Sequence, residues 1–126
     1  MKKVTDSMED YLEAILVLSK RLPVVRSVDI ADFLNFKKPS VSVAVKKLKE
    51  QDKITVTKEG YIYLTESGRE IASTILERHM LFTNWLVFMG VDEETAARDA
   101  CRLEHAISDE SFAAMKKHLA TKHNVK

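Results

Sequence analysis

The sequence predicts a mainly α-helical protein, with a winged helix-turn-helix domain over residues 1–64 and an all-helical domain over residues 65–126. Three observations lead there. Apolar residues recur at helical spacing along most of the chain, interrupted by 3 glycines and 2 prolines. The exception is a pair of short runs, Ile54–Thr57 and Tyr61–Leu64, in which β-branched and aromatic residues alternate on either side of Lys58-Glu59-Gly60, the pattern of a hairpin. Between Lys37 and Lys49, just before that hairpin, lie five lysines and no acid. Two helices, a turn, a third helix and a hairpin follow one another in the order of a winged helix-turn-helix.

Each element has a local reason. A first helix is expected from about Thr5 to Lys20, with Met8, Leu12, Ile15, Leu16 and Ser19 on one side and Arg21-Leu22-Pro23 ending it. Ser27 is placed to cap a short helix over Val28–Leu34 that turns Ile30, Ala31 and Leu34 inward. Asn35-Phe36-Lys37-Lys38 forms a turn, and Pro39 suits the first turn of the next helix, where its missing N–H costs nothing. That helix would bury Val41, Ala44, Val45 and Leu48. Beyond the hairpin, Thr65 caps a long helix from about Glu66 to Met89, with Ile71, Ile75, Phe82 and Met89 in one stripe and Gly90 at its end. Asp92 opens a helix to about Ile107, and Ser108-Asp109-Glu110 opens a last one to about His118. This helical half has too few residues to cover its own apolar faces, so a homodimer is expected.

Composition narrows the function classes. With 126 residues, 45% hydrophobic and 31% charged, the chain reads as an ordinary globular protein. It has no apolar run long enough to span a bilayer, so no membrane partner is expected. The start, Met1 to Asp6, is charged and lacks a signal peptide's apolar stretch. A single cysteine cannot form an internal disulfide, and a reducing cytoplasm is the expected location. The net charge of +1 hides an asymmetry: residues 1–64 hold 12 Lys/Arg against 9 Asp/Glu, and residues 65–126 hold 8 against 10.

Two constellations carry chemistry. With Val41, Ala44, Val45 and Leu48 inward, the third helix turns Ser40, Ser42, Val43, Lys46 and Lys47 outward. In a major groove, Ser40 and Ser42 beside Pro39 would sit near base edges and Val43 near a thymine methyl. Lys37, Lys38, Lys46 and Lys47 would meet phosphates, which position rather than specify. The plain alternative is a solvated lysine face; the flanking short helix and hairpin favour double-stranded operator DNA. The second constellation spans three helices. Asp10 and Glu13 stand three apart on the first helix, His79 lies on the long one, and Cys101, Glu104 and His105 share one helical face. Thiolate, carboxylate and imidazole are ligands for iron, manganese, cobalt or zinc. Taken singly, Cys101 reads equally as a small buried hydrophobe, His79 as a core histidine, and Asp10 and Glu13 as a solvated face.

These residues carry a resemblance. Ser7-Met8-Glu9-Asp10-Tyr11-Leu12-Glu13, Lys38-Pro39-Ser40-Val41-Ser42-Val43-Ala44-Val45, Leu64-Thr65-Glu66-Ser67-Gly68-Arg69, Arg78-His79 and the run Asp99 to Asp109 (DACRLEHAISD) together resemble the diphtheria-toxin-repressor family of metal-dependent regulators. The likeness extends over nearly the whole chain. It implies a homodimer in which metal fixes the first helix to the dimerisation domain and sets two recognition helices at the spacing of successive major grooves. By position it implies Asp10, Glu13, His79, Cys101, Glu104 and His105 as ligands. The iron branch usually carries methionine in place of Asp10, and the manganese branch glutamate in place of Cys101. Thr83 and Ala97 stand where the iron branch has second-site ligands, and no counterpart of the SH3-like extension of the larger iron regulators is expected. Softness of the thiolate leans the choice toward Fe2+ over Mn2+, with Co2+, Zn2+ or Ni2+ able to substitute. The function expected is therefore a repressor of metal-uptake genes. A metal-independent winged-helix regulator sensing an organic ligand, or an oxidant through Cys101, is the alternative. A metal-dependent hydrolase lacks support, since no His-Glu-x-x-His pattern occurs.

Overall fold

The computed structural model describes residues 5–124; residues 1–4, 125 and 126, and with them most of the segment read as lacking a signal peptide, lie outside the described residues. The element order is α1 (Asp6–Ser19), α2 (Ser27–Leu34), α3 (Lys38–Glu50), β1 (Ile54–Val56), β2 (Ile62–Leu64), α4 (Glu66–Phe88), α5 (Glu93–Ala106) and α6 (Asp109–Asn124). The chain forms two compact units that part at Thr74 and Ile75, inside α4. Among the described residues, no helix is long and apolar enough to cross a membrane.

In the first unit, α1 starts at Thr5, whose hydroxyl accepts the Met8 N–H at 3.2 Å and so satisfies one of the donors every helix start leaves open. The helix buries Met8, Tyr11, Leu12, Ala14, Ile15, Leu16 and Leu18, a wider face than the expected stripe. Ser19 is not on that face; it is exposed, and its hydroxyl donates back to the Leu16 carbonyl at 2.7 Å. Helix α2 is capped one residue earlier than expected, because the Asp29 carboxylate accepts the Arg26 N–H at 2.9 Å and makes Arg26 the boundary. It ends at Asn35, whose left-handed backbone (φ 59°) lets the Phe36 N–H reach the Ala31 carbonyl at 3.0 Å. Helix α3 has Lys37 at its cap and Pro39 in its first turn, and it buries Val41 and Leu48, with Ala44 and Val45 half-buried beside them.

The strands β1 and β2 pair antiparallel with Ile54 opposite Leu64 and Val56 opposite Ile62. They are one residue shorter at the turn end than the alternating pattern suggested, because Thr57 and Tyr61 bond across the turn instead. Ile54 and Ile62 point into a core shared with Leu12, Ile15, Val25, Ile30, Val41 and Leu48. The Ile62 N–H also donates to the Val25 carbonyl at 2.8 Å, pinning the hairpin to the segment before α2.

The step from β2 into α4 is tightly built. The Thr65 hydroxyl donates to the Asp52 carbonyl at 2.7 Å and accepts the Gly68 N–H at 3.1 Å, and the Thr65 N–H donates to the Lys53 carbonyl at 3.0 Å. Gly68 is buried, and a Cβ there would lie 2.0 Å from the Lys53 carbonyl oxygen. The helix needs a residue without a side chain at the point where it crosses this backbone.

In the second unit, Phe82, Ala100 and Phe112 form a core flanked by Leu81, Ile107 and Met115, with the two phenylalanine rings edge to face at 5.9 Å. Ile75 is buried with them on α4, but Met89 is not: α4 stops at Phe88, and Met89 is 54% exposed where Gly90 (φ 103°) turns the chain. Asp92 caps α5 by accepting the N–H groups of Glu94 and Thr95. The last helix runs on to Asn124, past the expected end at His118, since no glycine or proline interrupts it.

Substituting Gly68→Ala should destabilise the chain by about 3 kcal/mol, because the obstructing atom is backbone and cannot rotate away. Urea denaturation measures it; a midpoint equal to the parent's would show that the junction relaxes at no cost.

Candidate functional site

Two sites are built from the residues upward, one in each unit. In the first, the inward side chains of α3 orient the rest. Lys37, Lys38, Pro39, Ser40, Ser42, Val43, Lys46 and Lys47 are all exposed, and Val43 retains 55% of its surface. No acid lies in the first turn of α3, so its partial positive pole adds to that of the lysines rather than being neutralised. The eight residues selected from sequence therefore present one basic face. At the hairpin, Arg26 lies over the Tyr61 ring at 5.0 Å and donates to its hydroxyl at 3.3 Å, while Tyr63 is exposed. Sequence reasoning did not single out this pair. Arg26 and Tyr61 lie 35 residues apart, and no local pattern joins them.

In the second unit, α4 supplies His79 and α5 supplies Cys101, Glu104 and His105. The spacing of the last three places them along one side of α5, as read from sequence. Ligand atoms of His79, Cys101 and Glu104 all lie within 4.8 Å of one another. The His79 Nδ1–H donates to Glu104 Oε1 at 2.8 Å and faces Cys101 Sγ at 3.8 Å. His105 Nε2 stands 3.7 Å from Glu104 Oε2. Cys101 is exposed, so the reading of it as a small buried hydrophobe does not hold in this unit. His79 keeps 23% of its side chain open, whereas Glu104 is wholly buried. Asp10 and Glu13 are half-buried on α1, in the first unit.

Burial makes Glu104 the unusual member. A carboxylate out of water costs several kcal/mol unless its oxygens are satisfied. Oε1 is satisfied by His79, but Oε2 has no hydrogen-bond partner among the described residues. A buried, unsatisfied carboxylate oxygen beside a thiol and an imidazole fits a divalent cation, which would take all three donor types. In the metal-free chain the imidazolium fills part of that role. Hydrogen bonds to Cys101 and to Glu104, helped by the charges of both, push His79 up to about 10 from its ordinary 6.5 against the opposing pull of burial.

Comparison with known proteins also divides the chain in two, but at the start of α4 rather than at Thr74 and Ile75 within it. The iron dependent repressor N-terminal DNA-binding domain matches residues 3–62, and the iron dependent repressor metal-binding and dimerisation domain matches residues 65–123. An uncharacterized HTH-type transcriptional regulator of Methanocaldococcus jannaschii is 38% identical over 115 residues, which cover 90% of this chain and 92% of that protein. The chain belongs to the iron-dependent repressor family. The HTH-type transcriptional regulator MntR of Geobacillus kaustophilus is 36% identical over 104 residues, covering 82% of this chain and 74% of that one. Among solved structures, the manganese regulator SloR superposes with a TM-score of 0.80 at 31% identity, covering 90% of this chain and 53% of SloR. The chain thus spans about half the length of that solved regulator. This family member carries a DNA-binding domain followed by a metal-binding and dimerisation domain, and it is a metal-dependent transcriptional regulator rather than an enzyme.

A pH effect follows from the His79 shift. Because its folded pKa of about 10 lies above the ordinary 6.5, the imidazolium contributes stability that is fully present below pH 6.5 and lost as pH rises toward 10. In metal-free protein, the stability difference between the parent and His79→Gln should therefore shrink over that interval when followed by urea melts. A difference that stays constant from pH 6 to 10 would show that the proton on His79 does not hold the cluster.

Proposed function

We propose that this protein is a metal-switched repressor that binds double-stranded operator DNA as a homodimer in the cytoplasm and silences genes for metal uptake. One observation carries the metal half of the reading: ligand atoms of His79, Cys101 and Glu104 lie within 4.8 Å of one another in the metal-binding domain, and Oε2 of the buried Glu104 carboxylate has no hydrogen bond among the described residues. The exposed basic face of α3, in the DNA-binding domain, supports the other half. Asp10, Glu13, His79, Cys101, Glu104 and His105 are the proposed ligands, with Asp10, Glu13 and His105 resting on the sequence resemblance. A bound divalent ion would supply concentrated positive charge for these side chains to share. His79 would give up its proton to serve as a ligand, Glu104 Oε2 would gain a partner, and Asp10 and Glu13 would offer further carboxylate donors.

Fe2+ is placed slightly ahead of Mn2+ because a thiolate donor favours the softer ion. Manganese is the second reading, favoured by the carboxylates Asp10, Glu13 and Glu104 and by the likeness to SloR, a manganese regulator. On α3, Lys37, Lys38, Lys46 and Lys47 serve phosphates, while Ser40, Ser42 and Val43 beside Pro39 serve base edges.

Excess chelator should weaken specific operator binding at least tenfold, a coupling of about 1.4 kcal/mol. Binding that ignores chelator would instead indicate a metal-independent regulator. In the same assay Cys101→Glu should move the response from Fe2+ and Co2+ toward Mn2+; an unaltered metal ranking would remove sulfur from the ligand set.

The lysines and serines should separate in a second measurement. Lys46→Ala or Lys47→Ala should flatten the salt dependence of binding by about one unit of slope per lost phosphate contact, on every sequence. Ser40→Ala or Ser42→Ala should alter preference between operator variants. Serine variants that rank operators as the parent does would show that α3 is not the reader.

A further inference from the structure

Arg78 precedes His79 on α4 and is only 6% exposed, which is uncommon for an arginine without a full set of acceptors. Its guanidinium donates to the Glu104 carbonyl at 3.0 Å, to the Ile107 carbonyl at 2.6 Å and to Asp109 Oδ1 at 2.6 Å. The Phe112 ring lies 5.2 Å below it. The first carbonyl lies in the last turn of α5 and the second belongs to its C-cap, where backbone acceptors lack helical partners and the helix pole is negative. Asp109 is the first residue of α6. One side chain thus ties α4 to the end of one helix and the start of the next.

Glu104 is held from two directions by neighbouring residues of α4: Arg78 grips its carbonyl, and His79 grips its carboxylate. We propose that Arg78 is a positioning residue for the metal site, fixing the register at which His79 on α4 meets Cys101 and Glu104 on α5. The inference rests on the metal reading above. The guanidinium suits the task because its rigid planar fork reaches three acceptors at once, which a lysine ammonium on a flexible stem cannot reproduce in the same geometry. If Arg78 is shortened or replaced, the α5 carbonyls lose their donor, the last turn of α5 shifts, and His79, Cys101 and Glu104 no longer present their donors together. Groups that orient metal ligands commonly affect metal affinity by about 10–100-fold.

The test is anaerobic Co2+ titration of the full chain, followed by the thiolate-to-cobalt absorbance band, with helical content of the metal-free protein read by circular dichroism. Arg78→Lys should lose at least about tenfold in Co2+ affinity, with a weakened or shifted band and unchanged helicity. Asp109→Ala, at an exposed side chain, should give a smaller loss in the same direction. Glu77→Ala breaks the Glu77–Lys116 ion pair on the same helix without touching the guanidinium, and it should leave affinity and band as in the parent. Parent-like affinity and band in Arg78→Lys overturn the proposal, as does a loss in Glu77→Ala equal to that in Arg78→Lys. Should Arg78→Lys fail to fold, Asp109→Ala decides: reduced affinity with normal helicity supports the proposal, and parent-like binding overturns it. A parent that takes up no Co2+ sinks the metal reading and this inference together, whereas a parent with the band and indifferent variants removes the Arg78 role alone.

Discussion

A carboxylate with no access to water sets the terms for the second unit. Glu104 is wholly buried, and an ionised group in that position must be met by hydrogen bonds and opposite charge or the fold loses several kcal/mol. Every nearby element bends to this requirement. His79 stays protonated to meet Oε1, and Arg78 enters the interior to meet the backbone of the same residue. Asp109 takes a further N–H of the guanidinium, whose Nε is left without a hydrogen bond among the described residues. The arrangement meets all but one of the demands of Glu104, and that remaining oxygen, Oε2, is the one a divalent ion would satisfy. Structural need and the proposed metal site converge on a single side chain.

The first unit answers a different demand. Its small helices and two three-residue strands must bury enough surface to hold a basic helix face outward, although lysines contribute little to packing. Helix α1 bears most of this load, with seven buried side chains, while α3 commits only Val41 and Leu48 fully to the core. Leaving α3 lightly anchored frees its outer face to carry lysines and small residues. Backbone hydrogen bonds from Ile62 to Val25 and from Thr65 to Lys53 add to the packing at the hairpin.

Much of this was legible in the residues. The 3.6-residue periodicity together with start residues such as Asp92 and Ser108 located the six helices, the alternation around Gly60 located the hairpin, and the Cys101-x-x-Glu104-His105 spacing located a cluster. What escaped is whatever depends on a partner remote in sequence. Arg78 stood in a segment that carried the family resemblance, but no role could be given to it without the carbonyls of Glu104 and Ile107 that it meets. Ser27 was the natural cap by residue type, but the reach of Asp29 back to Arg26 decided the boundary. Met89 fitted the stripe of α4 on a helical wheel, yet the helix had ended before it. The breadth of the buried face on α1 was also hidden, because periodicity counts apolar positions and cannot tell how many sides will be covered.

The Ile62–Val25 hydrogen bond bears on how the chain reaches its structure. It closes a loop of more than thirty residues, and the Arg26–Tyr61 contact beside it spans 35. Ordering so long a segment costs chain entropy before either contact repays it. The second unit meets the same cost: Arg78 reaches Asp109 across 31 residues, and Glu77 pairs with Lys116 over a longer span still. During synthesis the unit with the basic helix emerges first, and its closure waits until Tyr61 and Ile62 have followed Val25 and Arg26 out, 35 residues after Arg26 in the case of Tyr61.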